Sequence, residues 1–447
     1  MDINIFKEKL FKKALQEGFT DFEIYYYSGK SISINVLKGD IEKFTNNTSG
    51  GLSFRGFYNG KMGYSYTEKI SEDAIDSLLQ YAKENSEIIS EEEKEEIYKG
   101  DDSYTPVKSF HQELEDVDVD VLIEKALAME KAVLSYDDKI TSCNHCMIGK
   151  SYSELYISNT KGLCLTDKSN YIMAYASALA KENDDVKSGM EIKASFSLDD
   201  IDENYIGKTA AKKALSYLGA KSLPSKKYNI IFENETFTDL FSCFIGNFCA
   251  ESVQKGFSLL KGKLNEKIAP DNITIVDEPL LENGYSSSSF DSEGVACYNK
   301  TIVEKGVLKT YLYNLKTAKK DGVKSTGNGF KGGYKGKIGI SPTNFYIKNG
   351  KTPLDTLFNN VEKGIFITGL SGLHAGVNNI SGDFSALASG YLIENGKKTK
   401  PVEQITIAGN FYNMMLNIKD IADDLKFSLS GVGSPSVFVG ELSVSGD

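Results

Sequence analysis

Arginine is nearly missing from this sequence. Arg55 is the only one among 51 basic residues, the rest are lysines, and the net charge is -11. Proteins that grip nucleic-acid phosphates use dense lysine and arginine, with arginine favoured for two-pronged contacts. A nucleic-acid partner is therefore not expected. Histidine is as scarce: the chain has three, His111, His145 and His374, too far apart in sequence to pair on one helix turn, and no H-E-x-x-H occurs. A zinc site that activates water needs three protein ligands and an open position, so no metal and no catalytic residue is assigned to this chain. Also missing is the G-x-S-x-G of a nucleophile elbow.

Long apolar runs are absent too. No stretch approaches the roughly 18 consecutive apolar residues of a membrane-spanning helix. The first residues, MDINIFKEKLFKKALQ, set lysines among apolar residues at helical spacing and lack an apolar core with a cleavage site. A cytoplasmic protein without a membrane partner is expected. The six cysteines are scattered, which favours reduced thiols over a disulfide framework. Cys143 and Cys146 have C-x-x-C spacing without a second ligand pair, so they read as strand residues. The acidic run Glu91, Glu92, Glu93, Glu95 and Glu96 reads as a solvated helix end or linker.

What is present is a globular composition, 40% hydrophobic and 25% charged, on a chain too long for one core. The fold class is α+β in three units: an N-terminal α+β domain over 1–100, a central α+β domain over 110–222, and a β-rich C-terminal domain over 226–447 with a long buried helix. In the first, a helix over 4–17 precedes strands over 22–27 and 31–36. Asn59-Gly60 between two aromatic-rich strands marks a tight hairpin, and a helix follows over 71–85. In the second, Leu122, Ala126, Met129 and Val133 make one helix face. Strands over 139–147, 152–158, 163–166, 170–182 and 188–198 and a helix over 205–219 complete it. In the third, a strand over 228–232 leads to an apolar helix through Phe237, Leu240, Phe241, Phe244, Ile245 and Phe248, and a helix is expected over 412–424.

Two glycine-rich segments are candidate binding loops. Gly327-Asn328-Gly329-Phe330-Lys331-Gly332 spells G-x-G-x-x-G, but the glycines that follow oppose the helix a dinucleotide site requires. It reads either as a mobile surface loop or as one whose exposed N–H groups hold a peptide. The stretch from Thr368 to Ser385 reads as tight turns or as a loop that brings backbone close to a ligand. His374, Asp383 and Ser385 in it supply the side chains of a triad, which local spacing alone does not establish.

Several stretches in the C-terminal third, among them Phe290-Asp291-Ser292-Glu293-Gly294-Val295, Ser381-Gly382-Asp383-Phe384-Ser385 and Thr406-Ile407-Ala408-Gly409-Asn410, resemble the TldD/PmbA (TldE) metallopeptidase family. The catalytic subunit of that family carries H-E-x-x-x-H on the helix after the first strand of its last domain, and a cysteine near the C-terminus. The matching places here read Phe232-Glu233-Asn234-Glu235-Thr236-Phe237 and Ser430-Gly431-Val432-Gly433-Ser434, without histidine or cysteine. The resemblance thus implies a TldE/PmbA-type non-catalytic subunit, with the metal, zinc by expectation, and the cutting in a TldD-like partner. It also implies an unfolded or small peptide as substrate, with Ser325, Thr326, Gly327, Asn328, Gly329, His374, Asn378, Ser381, Gly382, Asp383 and Ser385 as candidate peptide contacts. A stand-alone peptide-binding protein and a metal-independent hydrolase remain as alternatives, and a homodimer remains open.

Overall fold

The computed structural model describes residues 1–88 and 95–447. Glu91, Glu92 and Glu93 lie outside the described residues, whereas Glu95 is turned inward toward Arg55, its side chain 19% exposed, so the solvated reading does not hold for it.

The N-terminal half runs α1 (Ile3–Gln16), β1 (Phe19–Leu37), β2 (Asp40–Tyr58), β3 (Lys61–Thr67), α2 (Ala74–Ile88), α3 (Gln112–Glu115), α4 (Val119–Leu134), β4 (Ile140–Asn159), β5 (Cys164–Glu182), β6 (Asp185–Ser195) and α5 (Glu203–Ser216). All six strands form one antiparallel sheet in the order β3-β2-β1-β4-β5-β6. Strands expected as pairs of short segments are single long ones. Gly29 and Lys150, which read as interruptions, are paired on both sides, Gly29 with Ser49 and Ser153, and Lys150 with Ile32 and Ile172. The Asn59-Gly60 hairpin forms with both residues at positive φ, as a two-residue turn between twisted strands requires.

Alternation along β1 and β2 decides what each face does. Phe22 and Ile24 on β1 and Leu52 and Phe54 on β2 point one way and pack under α1 and α2. Farther along the sheet, Ile34, Ile148, Ile172 and the alanine row Ala174, Ala176, Ala178 and Ala180 lie under α4 and α5. Helix α4 buries the expected Leu122, Ala126, Met129 and Val133. The odd-numbered residues of this part of β1 and β2, Glu23, Tyr25, Ser53 and Arg55 among them, face the other way, with Tyr64 and Tyr66 of β3 beside them. Gly63 of β3 lies so close to α2 that an added Cβ would run into the Ala82 carbonyl oxygen. Gly63→Ala should therefore lower stability by about 2 kcal/mol, the usual size of a core overpacking effect, checked by urea unfolding.

The C-terminal half runs β7 (Lys226–Phe232), α6 (Asn234–Ser242), a 3-10 turn at Ile245–Phe248, α7 (Ala250–Gln254), β8 (Ile275–Asp277), β9 (Lys300–Glu304), β10 (Val307–Leu308) and α8 (Leu315–Asp321). It continues through β11 (Gly329–Lys331), β12 (Ile338–Ile340), β13 (Phe345–Ile347), α9 (Leu354–Asn360), β14 (Lys363–Ser371), α10 (Leu373–Gly376), β15 (Asp383–Glu394) and β16 (Lys397–Asn410). It ends with α11 (Phe411–Leu416), β17 (Asp420–Ile421), β18 (Lys426–Phe427), β19 (Val432–Ser434) and β20 (Val437–Ser445). Strands β16, β15, β14, β7 and β20 are neighbours in that order, and β16 pairs back onto β20, closing a barrel. The molecule is α+β.

The apolar segment after β7 is helical and buried, but it is not continuous. Leu312 N–H donates to the Phe248 carbonyl and Ala250 N–H to the Leu312 carbonyl, a bridge that draws the backbone out of helical geometry. The break lets Phe244 stack on Phe411 at 4.3 Å between ring centres, and Phe248 reach Phe345. The helix expected over 412–424 also ends early, at Leu416, because Asp420 and Ile421 pair with β20. Among the described residues no helix is long and apolar enough to cross a membrane.

Candidate functional site

Three places could carry function: the start of α6, the two glycine-rich segments, and a deep cleft against the odd face of the N-terminal sheet.

At α6 the side chains are committed to the fold. The Asn234 amide donates to the Asp424 carbonyl at 2.7 Å and its backbone N–H to Ser436 Oγ. Thr238 is buried, and its hydroxyl has no partner among the described residues. Glu233 lines a groove of about 630 Å³ with Phe358, Phe366 and Lys398, and burial, with Glu235 beside it, pushes its carboxyl up to about 7. At the tail, Ser434 and Ser436 are fully buried. Hydroxyls and amides of this kind do not make a zinc site. Among the described residues no group of three or more His, Cys, Asp or Glu side chains could hold a metal.

From Ser325 to Gly329 the first glycine-rich segment is packed inside the protein, so exposed N–H groups are not what that part offers, and the chain surfaces again only at Gly332. Within Ser325 to Gly329 only Ser325 is partly accessible, with its hydroxyl on the Tyr313 carbonyl. Thr326 and Asn328 are buried. Asn328 donates to Asp277 Oδ2 at 2.8 Å and to the Ser341 carbonyl, and accepts from Lys300 Nζ and Thr326 Oγ1. Gly327 has φ +68° beside the Ala296 carbonyl, and Gly329 N–H donates to Asp291 Oδ2. A string of glycines that reads as mobile is here the tight weave around a buried ion pair.

The second segment is the accessible one. His374, Asn378, Asp383 and Ser385 are exposed, Ser381 is half-buried and Gly382 is buried at φ +82° against the Tyr412 ring. Asp383 accepts from Asn410 Nδ2 and Ser381 Oγ, which holds its carboxyl below the usual range. Asn378 Oδ1 accepts from the N–H groups of Ile380 and Ser381. Among the described residues no hydrogen bond joins His374, Asp383 and Ser385, so they are not assembled as a triad. Cys143 and Cys146 are buried on β4, where a bulge between Cys143 and His145 turns both toward the core.

Sequence reasoning missed the deep cleft, of about 940 Å³. Its floor is Arg55, 4% exposed. Arg55 Nε donates to Glu23 Oε1 at 2.9 Å, Nη1 lies 3.6 Å from Glu95, and Nη2 is buried without an acceptor among the described residues. From the C-terminal half, Lys331 reaches in to donate to Ser53 Oγ at 3.0 Å and stands 4.6 Å over the Tyr25 ring. Burial, reinforced by the positive Arg55, pushes the Lys331 amine down to about 8. Burial, with Asp291 adding to it, pushes the Glu293 carboxyl up to about 8. The one arginine of the chain, set among Ser53 and Tyr25 on the face opposite Leu52 and Phe54, was the available signal.

Residues 22–86, 112–218 and 225–446 match in turn domain 1, the central domain and the C-terminal domain of the PmbA/TldA metallopeptidases. The chain belongs to the PmbA/TldD metallopeptidase family. Metalloprotease PmbA of Escherichia coli O157:H7 is 28% identical to this PmbA/TldD chain, over 93% of it and 90% of the relative. An uncharacterised protein of Methanocaldococcus jannaschii is 30% identical over 97% and 99%. A crystal structure from Thermotoga maritima, named provisionally as a modulator of a DNA gyrase, has 32% identity and a TM-score of 0.92, covering 99% of this chain and 100% of its own. TldE from Thermococcus kodakarensis shares the fold of this PmbA/TldD chain, with a TM-score of 0.90 at 22% identity, covering 99% and 100%.

Proposed function

We propose that this chain is the TldE/PmbA-type, non-catalytic subunit of a two-subunit peptidase. It encloses and holds an unfolded or small peptide, and a TldD-like relative with H-E-x-x-x-H carries the metal and makes the cut. The observation that carries this reading is the start of α6. Where the family's catalytic subunit needs two histidines and a glutamate, this helix offers Glu233, Asn234, Glu235 and Thr238, with Asn234 held by Asp424 and Ser436. Relatives of nearly the same length are named metalloproteases, so in this reading the cutting belongs to the assembly rather than to each chain. The exposed turn from His374 to Ser385 is the accessible part of the proposed peptide contact, and Ser325 to Gly329 support it from inside. Six free cysteines suit the reducing cytoplasm.

The test is to express this chain with a relative that has H-E-x-x-x-H and purify the two apart and together. Metal content and cleavage of an unfolded peptide are then measured for each sample. Cleavage only in the mixture, with stoichiometric zinc on the relative alone, is the expected result. Stoichiometric zinc on this chain, or cleavage by it alone at the rate of the mixture, would overturn the reading.

A further inference from the structure

Strand pairing builds the cleft floor in two rungs. Glu23, Arg55 and Tyr64 lie side by side across β1, β2 and β3, and Tyr25, Ser53 and Tyr66 form the next rung. The floor holds a buried guanidinium, Arg55, and above it stands the half-buried ammonium of Lys331, both with donors to spare. A guanidinium carries five N–H bonds in a rigid fork, and Arg55 leaves the Nη2 edge unused. An ammonium carries three, and among the described residues Lys331 has one hydroxyl acceptor, one aromatic face and no carboxylate in ion-pair reach. Buried donors are normally satisfied, and those left open call for an explanation.

Among the described residues, the carboxylates at the floor are already engaged. Glu23 gives one carboxylate oxygen to Arg55 and the other to Asn159 Nδ2 at 3.2 Å. Glu293 accepts the Leu315 N–H at 2.8 Å. Glu95 sits on the far edge of the guanidinium. Two cations, Arg55 and Lys331, thus stand against two carboxylates, Glu23 and Glu95, and what remains open at the floor is donor capacity, presented by the Nη2 edge of a flat fork and by a point donor together. That matches a planar monoanion with two oxygens, as an Arg fork matches a carboxylate. It does not match a dianion, which would lie close to Glu95 and Glu293. Tyr64 and Tyr66 at the edge of the floor continue into walls made with Tyr81 and Tyr334, and the volume is ample for a chain longer than one residue.

We propose that this cleft captures the C-terminal carboxylate of a peptide, its two oxygens bridging Arg55 Nη2 and Lys331 Nζ while the preceding residues lie along the tyrosine walls. This deepens the peptide-holding role above and rests on it for the nature of the ligand, but its test needs no partner subunit. The chain alone is titrated calorimetrically at pH 7 with an N-acetylated tetrapeptide of leucine and alanine, with its C-terminal amide, and with inorganic phosphate. The free acid should bind about tenfold or more tightly than the amide, the usual gain of a charge-assisted pair, and phosphate should not displace it. Lys331→Met should remove the preference for the acid while raising the unfolding temperature, which separates lost binding from lost folding. Lys331→Arg should keep the preference. Equal binding of acid and amide, binding of neither, displacement by phosphate, or an unchanged preference in Lys331→Met would each overturn the proposal. If the acid binds selectively but the two-chain cleavage experiment fails, the subunit reading falls and the cleft stands; the reverse pattern removes the cleft alone.

Discussion

Asp277→Ala should lower the free energy of unfolding by about 4 kcal/mol, the range seen when one partner of a buried charge pair is removed. Asp277 is 0% exposed. Its Oδ2 accepts from Lys300 Nζ at 3.0 Å and Asn328 Nδ2 at 2.8 Å, and its Oδ1 accepts from the N–H and hydroxyl of Thr343, both at 2.7 Å. Alanine takes an acceptor from all four donors and leaves both of Thr343 without one. The ammonium of Lys300, itself buried, keeps only the Asn328 oxygen and the Tyr298 ring face. Urea unfolding of the variant is the measurement, and Lys300→Met added to Asp277→Ala should recover part of the loss because the stranded charge goes with it. A loss below about 1 kcal/mol would show that the pair is worth no more than an exposed one.

Lys331→Met should do the opposite and raise stability by about 2–3 kcal/mol at pH 7. The sign follows from where the protons sit. The folded-state amine is pushed down to about 8 from its ordinary 10.5, so below pH 8 both states hold the proton and the folded state bears the full cost of a buried charge. At about 1.4 kcal/mol per pH unit, that cost is roughly 3 kcal/mol, less what Ser53 and Tyr25 give back. Between pH 8 and 10.5 the folded protein sheds the proton first, and the advantage of methionine shrinks to nothing. Glu293 runs the other way: its raised pKa makes the wild type lose stability as pH rises from 4.5 through about 8. Comparing wild type and variant at the same pH largely cancels that contribution. Unfolding at pH 7 and pH 10 checks both halves, and a variant no more stable at pH 7 would show that Lys331 is not held as a buried cation.

Local signals were legible where local rules decide. The Asn59-Gly60 turn, the inward face of α4 and the missing histidines after β7 can be read from a few neighbouring letters. The turn at Lys38-Gly39 was not visible, because lysine at φ 57° gives no sign of its backbone. The merging of short strands into β1, β4 and β5 depends on neighbours on both sides, which no single segment reveals. The packed state of Ser325 to Gly329 depends on Asp277 and Lys300, supplied by distant strands. Arg55 stood out only as a rarity, since its role rests on the register that sets Glu23 beside it and brings Lys331 over Ser53.

During synthesis, β1 has to wait for its second neighbour. Phe22 and Thr160, at the closing end of the β1–β4 pair, are hydrogen-bonded across 138 positions of chain. At roughly 5–20 residues per second of translation, that interval is on the order of ten seconds. Until it ends, the β1–β2 hairpin has one unpaired edge and an uncovered face, the condition in which strands recruit the wrong partner. Contacts this distant also slow folding. The N-terminal half is therefore the stretch where a chaperone, or a slower ribosome, would change the yield of folded protein most.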